Sequence, residues 1–359
     1  MAKIDPWGSN AVSDYDHVFK EFGLSHFPES MKKQLGHRFF KRNIVVAHRD
    51  FEKVLERIKK KKKFINITGI ASSGPYHLGH KADLDLFVFF KKCGAKNYFC
   101  VCDIDAYCSR EKIKSIAQAK EIAVQNVADA LALGLNEKDI YVQGNKEKEY
   151  YSFAFEIGKK ITAKTFEAIY GHLDLGKVSS NLLQYADILH GQLPEYSGKM
   201  PSVTGIGLDQ DPHARATRDV AKRLPYDFET PSFIYFRHLS GLKEGRKMST
   251  SHPETAIFLN DSEADAKKKI NNCFTGGRPT AEEQRKLGGK PEICKKYELD
   301  LFHLESDAKL KDILEKCKSG KRLCGECKKL TIDYMGKFLK EHQTKAKKNL
   351  PKAKKIVYG

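Results

Sequence analysis

Phe64-Ile65-Asn66-Ile67-Thr68-Gly69, with Ser72-Ser73-Gly74-Pro75-Tyr76-His77-Leu78-Gly79-His80 close behind it, carries the information that fixes the fold class. The first six residues read as a buried strand ending in a glycine turn, and the spacing of Leu78, Leu84, Phe87 and Val88 predicts a helix from His77 to Phe90. Ala95 to Asp103, AKNYFCVCD, then reads as a second buried strand. Strand, turn, helix and strand make a βαβ unit.

On the N-terminal side of this unit a helix is predicted from Asp50 to Lys60, and the lysine run Lys59 to Lys63 at its end suits the negative pole of the helix or a solvated face. On the C-terminal side, helical stretches cover Ile113 to Leu133 and Tyr150 to Tyr170, and Met200 to Leu208 is strand-like. These elements predict an α/β, Rossmann-like parallel sheet with helices on both faces and an inserted helical region. Ligands of such sheets bind beyond the carboxyl ends of the strands, where Thr68, Gly69 and Asp103 fall. After about Pro253 the text loses strand character and turns helical and lysine-rich, with six lysines between Lys345 and Lys355. The expected division is an N-terminal extension (1–50) packed on a catalytic α/β unit (51–252), and an all-α C-terminal unit (253–359).

The chain has 359 residues, 40% apolar, with 21 Phe and 15 Tyr, too aromatic for a disordered polypeptide. No apolar run approaches the roughly 20 residues that span a bilayer, and the opening MAKIDPWGSN lacks a basic-then-apolar secretion pattern, so no membrane partner and a cytoplasmic location are expected. Its 64 Lys and Arg exceed 46 Asp and Glu by 18, which points to polyanions such as RNA or phosphorylated ligands. Nine cysteines in a reducing compartment direct attention to metal binding or thiol chemistry rather than a disulfide framework.

The Ser72–His80 stretch sits where a strand gives way to a helix, and the unpaired N–H groups of a helix N-terminus suit a phosphate. His77 and His80 can donate to phosphate oxygens, although H-x-x-H alone also fits surface histidines or a metal pair. The loop Gly245-Arg246-Lys247-Met248-Ser249-Thr250-Ser251 offers a mobile lysine charge and hydroxyl donors suited to a pyrophosphate leaving group. Together, in this order, HLGH and KMSTS resemble the paired signatures of class I aminoacyl-tRNA synthetases.

The resemblance narrows along the chain. Gly207-Leu208-Asp209-Gln210-Asp211-Pro212-His213 with Thr217-Arg218-Asp219 resembles a segment of archaeal and eukaryotic tryptophanyl-tRNA synthetases. So do Thr275-Gly276-Gly277-Arg278 with Glu282-Glu283, Leu287-Gly288-Gly289, Asp5-Pro6-Trp7 and Asp14-Tyr15-Asp16. The whole chain is similar to the archaeal type of that family. The resemblance implies activation of L-tryptophan with ATP and Mg²⁺ and its transfer to tRNA(Trp) by a homodimer, with anticodon recognition by the C-terminal unit. It places catalytic work on His77, His80, Lys247, Ser249 and Ser251, and ATP contacts on Gly79, Gly207, Asp209, Gln210 and Met248. Tryptophan contacts fall on Thr68, Gly69, Asp105, Gln184 and Asp187.

Where eukaryotic members place a tyrosine before the Thr-Gly turn and a glutamine on the next strand, this chain has Ile67 and Cys100. Bacterial members carry an aspartate in an A-A-D-I-L helix, which aligns with Asp187. A carboxylate acceptor matches the indole N–H donor. The tyrosyl enzymes use a similar Q-x-x-D pattern for a phenol hydroxyl, so a tyrosyl enzyme and a non-catalytic RNA-binding paralogue are the rival readings; the D-Q-D-P and T-G-G-R segments favour tryptophan. Cys294, Cys317, Cys324 and Cys327 read C-x22-C-x6-C-x2-C, four thiolates suited to tetrahedral zinc or a cubane, with plain buried thiols as the remaining reading. Their spacing resembles members of the family with a [4Fe–4S] cluster. Cys93, Cys100, Cys102, Cys108 and Cys273 are expected to be core residues.

Overall fold

The βαβ unit forms where the apolar pattern places it, except that the first strand runs on through Gly69 to Ala71 rather than turning at the glycine, in a computed structural model that describes residues 19, 23–243, 248–250 and 252–359. The chain enters through β1 (Ser25–His26), α1 (Glu29–Leu35), α2 (Arg38–Lys41), β2 (Val45–Arg49) and α3 (Glu52–Lys59). The βαβ stretch forms β3 (Ile65–Ala71) and α4 (Leu78–Lys92), then β4 (Lys96–Cys102), α5 (Asp103–Ser109) and α6 (Ile116–Ala132). Next come β5 (Ile140–Val142), α7 (Lys148–Gly158), α8 (Ala163–Tyr170) and α9 (Leu175–His190). The α/β part closes with β6 (Ser202–Gly207), α10 (Asp211–Arg223) and β7 (Ser232–Phe236). Helices α11 (Glu263–Asn271), α12 (Ala281–Leu287), α13 (Lys295–His303), α14 (Asp307–Lys318) and α15 (Cys324–Tyr358) complete the chain.

The seven strands form one sheet in the order β1-β2-β7-β6-β3-β4-β5. Strands β7, β6, β3, β4 and β5 are parallel, as expected. The sheet as a whole is mixed, which departs from the parallel expectation: β2 joins β7 antiparallel and β1 joins β2 antiparallel. An antiparallel strand needs no crossover helix, so Val45–Arg49 can cover the β7 edge and pair its backbone groups. The predicted helix over Tyr150 to Tyr170 is two helices, because Thr162 turns back to accept the Thr165 N–H and starts a new one.

The first half of β3 and the second half of β4 (Phe99 to Cys102) are buried, as expected where helices cover both faces of a parallel sheet. The main core extends from Phe40, Phe51, Phe64 and Phe99 of the α/β part to Leu299, Met335, Leu339 and Val357 of the C-terminal helices. The 35-residue α15 is about 50 Å long and lies against α6, tied there by a buried His342 Nε2 and Asp129 Oδ1 contact of 2.9 Å. Among the described residues no helix is long and apolar enough to cross a membrane.

Candidate functional site

The first turn of α4 is closed by its own histidines. His77 is the N-cap, its Nδ1 accepts from the Gly79 N–H at 3.0 Å, and the His77 N–H donates to His80 Nδ1 at 3.2 Å. With both Nδ1 atoms accepting, this network assigns the proton of each neutral ring to Nε2. The rings stack with centroids 3.9 Å apart. Burial, then the charges of Arg110 and Lys112, hold the His80 imidazole down at about 3, so it is a neutral N–H donor at physiological pH.

Residues 257–259 run beside Tyr76–Leu78: Leu78 N donates to Ile257 O at 2.9 Å and Leu259 N to Tyr76 O at 2.8 Å. That pairing brings the second signature over the first. A side chain at Gly79 would meet Met248 at 4.0 Å, and one at Gly74 would meet Thr250 at 3.2 Å. Ser249 is half-buried in the same loop, whereas Lys247 and Ser251 lie outside the described residues, as do Asp5-Pro6-Trp7 and Asp14-Tyr15-Asp16. Lys112 Nζ donates to Thr250 Oγ1 at 2.9 Å, bridging the loop after α5 to the second signature. Arg110 Nε, beside it, is buried without a hydrogen-bond partner, and no ion pair to Arg110 or Lys112 forms among the described residues. Burial and the Arg110 charge hold the Lys112 ammonium below its usual range. These two cations, whose charges act on His80 and, for Arg110, on the Asp105 carboxyl, make with the two imidazoles a candidate anion site.

Gly207, at the carboxyl end of β6, leads into Asp209 and Gln210. Asp209 is buried, with Oδ1 at 2.5 Å from His238 Nε2 and Oδ2 accepting from Gln210 Nε2 at 3.3 Å. Burial and Asp209 push the Asp83 carboxyl up to about 8. The flanking Asp211 is structural: it accepts from Arg49 and from the Tyr235 hydroxyl in the core.

The tryptophan-side residues gather between β3, β4 and α9. Asp187 Oδ1 accepts from Tyr141 OH at 2.7 Å and Tyr150 OH at 2.6 Å, and Oδ2 accepts from Gln143 Nε2 at 2.9 Å. Gln143 Oε1 accepts from the Asp105 N–H at 2.9 Å, so one amide links both carboxylate-bearing segments. Burial pushes the Asp187 carboxyl up to about 7, against hydrogen bonds from Tyr150 and Tyr141 that lower it. Asp105 is raised by burial and bonded by Ser180 Oγ. Gln184 is half-buried one helical turn before Asp187, and Thr68 and Gly69 lie in β3 beside β4.

The four spaced cysteines also converge. Cys294, Cys317, Cys324 and Cys327 line one cavity with Lys296 and Arg322. A side chain at Gly277 would collide with Cys324 Sγ at 2.8 Å, and one at Gly289 with Cys317 Sγ at 2.7 Å. Yet among the described residues the one trio of metal-ligating atoms lying within 4.8 Å of one another is Cys100, Cys102 and Asp187, not any three of these thiols. A single zinc ion with four sulfurs at about 2.3 Å draws them to within about 4 Å. The four thiols line one cavity without that close packing.

Sequence reasoning missed Arg110, Lys112, Tyr141, Gln143, Tyr150 and His238. Arg110 and Lys112 form a short basic loop after α5 that the basic residues alone could have flagged, but the tyrosines and Gln143 carried no signal of their own.

A Rossmann-like sheet whose two separated signatures meet over one helix N-terminus defines a class I aminoacyl-tRNA synthetase. A family model described as tRNA synthetases class I (W and Y) matches residues 59–340. The chain belongs to this family, and within it to the archaeal tryptophanyl-tRNA synthetases. It is 40% identical to the tryptophan–tRNA ligase of Aeropyrum pernix over 99% of this chain and 97% of that one. Identity with the tryptophan–tRNA ligase of Methanocaldococcus jannaschii is 39%, covering 100% of this chain and 99% of the relative. The crystal structure of tryptophanyl-tRNA synthetase from Aeropyrum pernix superposes with a TM-score of 0.88, covering 99% of this chain and 98% of that one.

Proposed function

We infer that this chain is a tryptophan–tRNA ligase, which activates L-tryptophan with ATP and transfers it to tRNA(Trp). The observation that carries the reading is the approach of Met248 and Thr250, from the second signature, to the turn of the first, with His77 and His80 oriented by their own helix turn. The tryptophan carboxylate attacks the α-phosphorus of ATP and pyrophosphate leaves; the terminal ribose hydroxyl of tRNA then attacks the acyl carbon and AMP leaves. His77 and His80 present Nε2–H donors to the triphosphate, joined by Arg110, Lys112, Lys247, Ser249 and Ser251. Catalysis is positioning and electrostatic stabilisation of a leaving anion by donors fixed in advance. Mg²⁺ enters with ATP and adds charge neutralisation, held largely by phosphate oxygens and water. Gly79, Met248, Gly207, Asp209 and Gln210 enclose the adenosine; Thr68, Gly69, Asp105 and Gln184 position the amino acid.

Asp187 reads the indole N–H. Two tyrosine hydroxyls bond Oδ1 and one amide bonds Oδ2, with the Cys100 thiol also beside the carboxylate, and the indole N–H would add a further bond at this acceptor. This supplies the acceptor that Ile67 and Cys100 cannot.

A [4Fe–4S] cluster on Cys294, Cys317, Cys324 and Cys327 is the proposed occupant, on the resemblance of their spacing to cluster-bearing members of the family and their lining of one cavity, and it would brace the helices that carry the anticodon-reading surface. Lysines of α15 face the tRNA. Homodimerisation is supported by Tyr107, Phe155, Leu173 and Leu175, exposed apolar side chains on or beside α9 and the two helices packed on it, α5 and α7. The expected location is cytoplasmic.

Pyrophosphate exchange into ATP, run with tryptophan, with tyrosine and without amino acid on anaerobically purified protein, tests the assignment. Exchange with tryptophan alone is expected. Exchange with tyrosine would overturn the pocket, and none with either amino acid would favour the RNA-binding paralogue. Iron and acid-labile sulfide near four each per chain are expected, and zinc alone would replace the cluster.

A further inference from the structure

Cys100 and Cys102 stand two residues apart on β4, so their side chains leave the same face of the sheet. Asp187 reaches the same point from α9, and the two Sγ atoms and a carboxylate oxygen all lie within 4.8 Å of one another, buried. Neither thiol is used by the activation chemistry. The absence of a side chain at Gly69, opposite on β3, makes the arrangement possible: a Cβ there would fall 2.9 Å from Cys102 Sγ and 3.0 Å from Cys100 Cβ. Asp187 is already oriented by Tyr141, Tyr150 and Gln143, the outer support that metal-binding carboxylates require.

We propose that Cys100, Cys102 and Asp187 form a binding site for a thiophilic divalent cation, Zn²⁺ foremost, that overlaps the tryptophan pocket, so that ion and amino acid exclude each other. The overlap rests on the assignment of Asp187 to the indole; the site itself does not. Two sulfurs and one carboxylate suit zinc and disfavour Mg²⁺, so the ion that accompanies ATP does not compete. Each thiol releases its proton to solvent on ligation, and three protein ligands leave one position open. Free zinc would then lower charging by removing the carboxylate from the substrate.

The test uses the full-length chain, stripped of metal under anaerobic conditions and titrated with Co²⁺, whose thiolate charge-transfer band reports sulfur ligation. The unmutated protein should lose one ion's share of the band on saturation with L-tryptophan, and Cys102→Ala should lack the same share. In pyrophosphate exchange with buffered free Zn²⁺, KM for tryptophan should rise linearly with zinc at constant kcat. A band equal in Cys102→Ala and the unmutated protein, and insensitive to tryptophan, would overturn the site. A band lost in Cys102→Ala but indifferent to tryptophan would overturn the overlap, and with it the placement of the indole at Asp187. The tryptophan arm needs no substitution and stands even if the variant folds poorly.

Discussion

Replacing Asp187 with alanine separates recognition of the indole from every other role of this pocket. The carboxylate accepts hydrogen bonds from Tyr141, Tyr150 and Gln143, with the Cys100 thiol beside it, and the indole N–H is the further donor proposed for it. A hydrogen bond to a charged acceptor is worth about 1.5–3 kcal/mol, or roughly 10- to 150-fold in kcat/KM for tryptophan. The substitution also orphans three buried donors, at about 1–3 kcal/mol each, so the variant should melt earlier and needs assay below its transition. That cost falls equally on every amino acid bound. The ratio of kcat/KM for tryptophan to that for its benzothiophene analogue, in which sulfur replaces the indole N–H, removes it. The unmutated enzyme should prefer tryptophan by about 10- to 150-fold, and Asp187→Ala should bring the ratio near one by weakening tryptophan alone. A parallel fall for both substrates, with the ratio unchanged, would refute the reasoning and leave Asp187 as a structural carboxylate.

Arg110→Ala and Lys112→Ala should each lower kcat/KM for ATP by about tenfold or more, with little change in tryptophan KM, because each removes a cation facing the phosphates. A loss confined to tryptophan KM in steady-state exchange would place them elsewhere. Lys296 and Asp300 form a buried pair at 2.5 Å, with Thr331 and Tyr334 also donating to Asp300. Lys296→Met should destabilise the fold by about 3–5 kcal/mol by stranding the carboxylate, and Lys296→Met/Asp300→Leu should recover most of that in denaturant melts. The Asp83 carboxyl is near 8 in the fold and about 3.9 in the unfolded chain, so the folded state holds the extra proton between those values. Its contribution to stability is therefore complete below about pH 4 and is lost as pH rises through 8. Asp83→Asn should raise the melting temperature progressively more from pH 5 to pH 8; a constant difference would contradict the assignment.

The βαβ unit around Thr68, Gly69 and the HLGH turn was legible because apolar periodicity and helix-start residues are local properties. The helical C-terminal part was legible for the same reason. The two-residue β1 and three-residue β5 were not, since strands that short owe their existence to the neighbour they pair with. The mixed character of the sheet lay equally beyond reach: nothing in Val45–Arg49 states which edge it joins. At the site, the residue types of both signatures and of Asp187 were evident, but not what surrounds them.

Residue types and their order were enough to establish which chemistry the chain carries: two imidazoles at a helix start, a lysine and hydroxyl loop, an aspartate on a helix face and four spaced cysteines. It took the folded arrangement to establish that Met248 and Thr250 of the second signature lie over the first, that Lys112 bonds Thr250 with Arg110 beside it, and that three donors from β5, α7 and the turn between them hold Asp187 beside two thiols. Side-chain chemistry is written one residue at a time, whereas the distance between residues far apart in the chain is set by how helices and strands bury their apolar faces against one another.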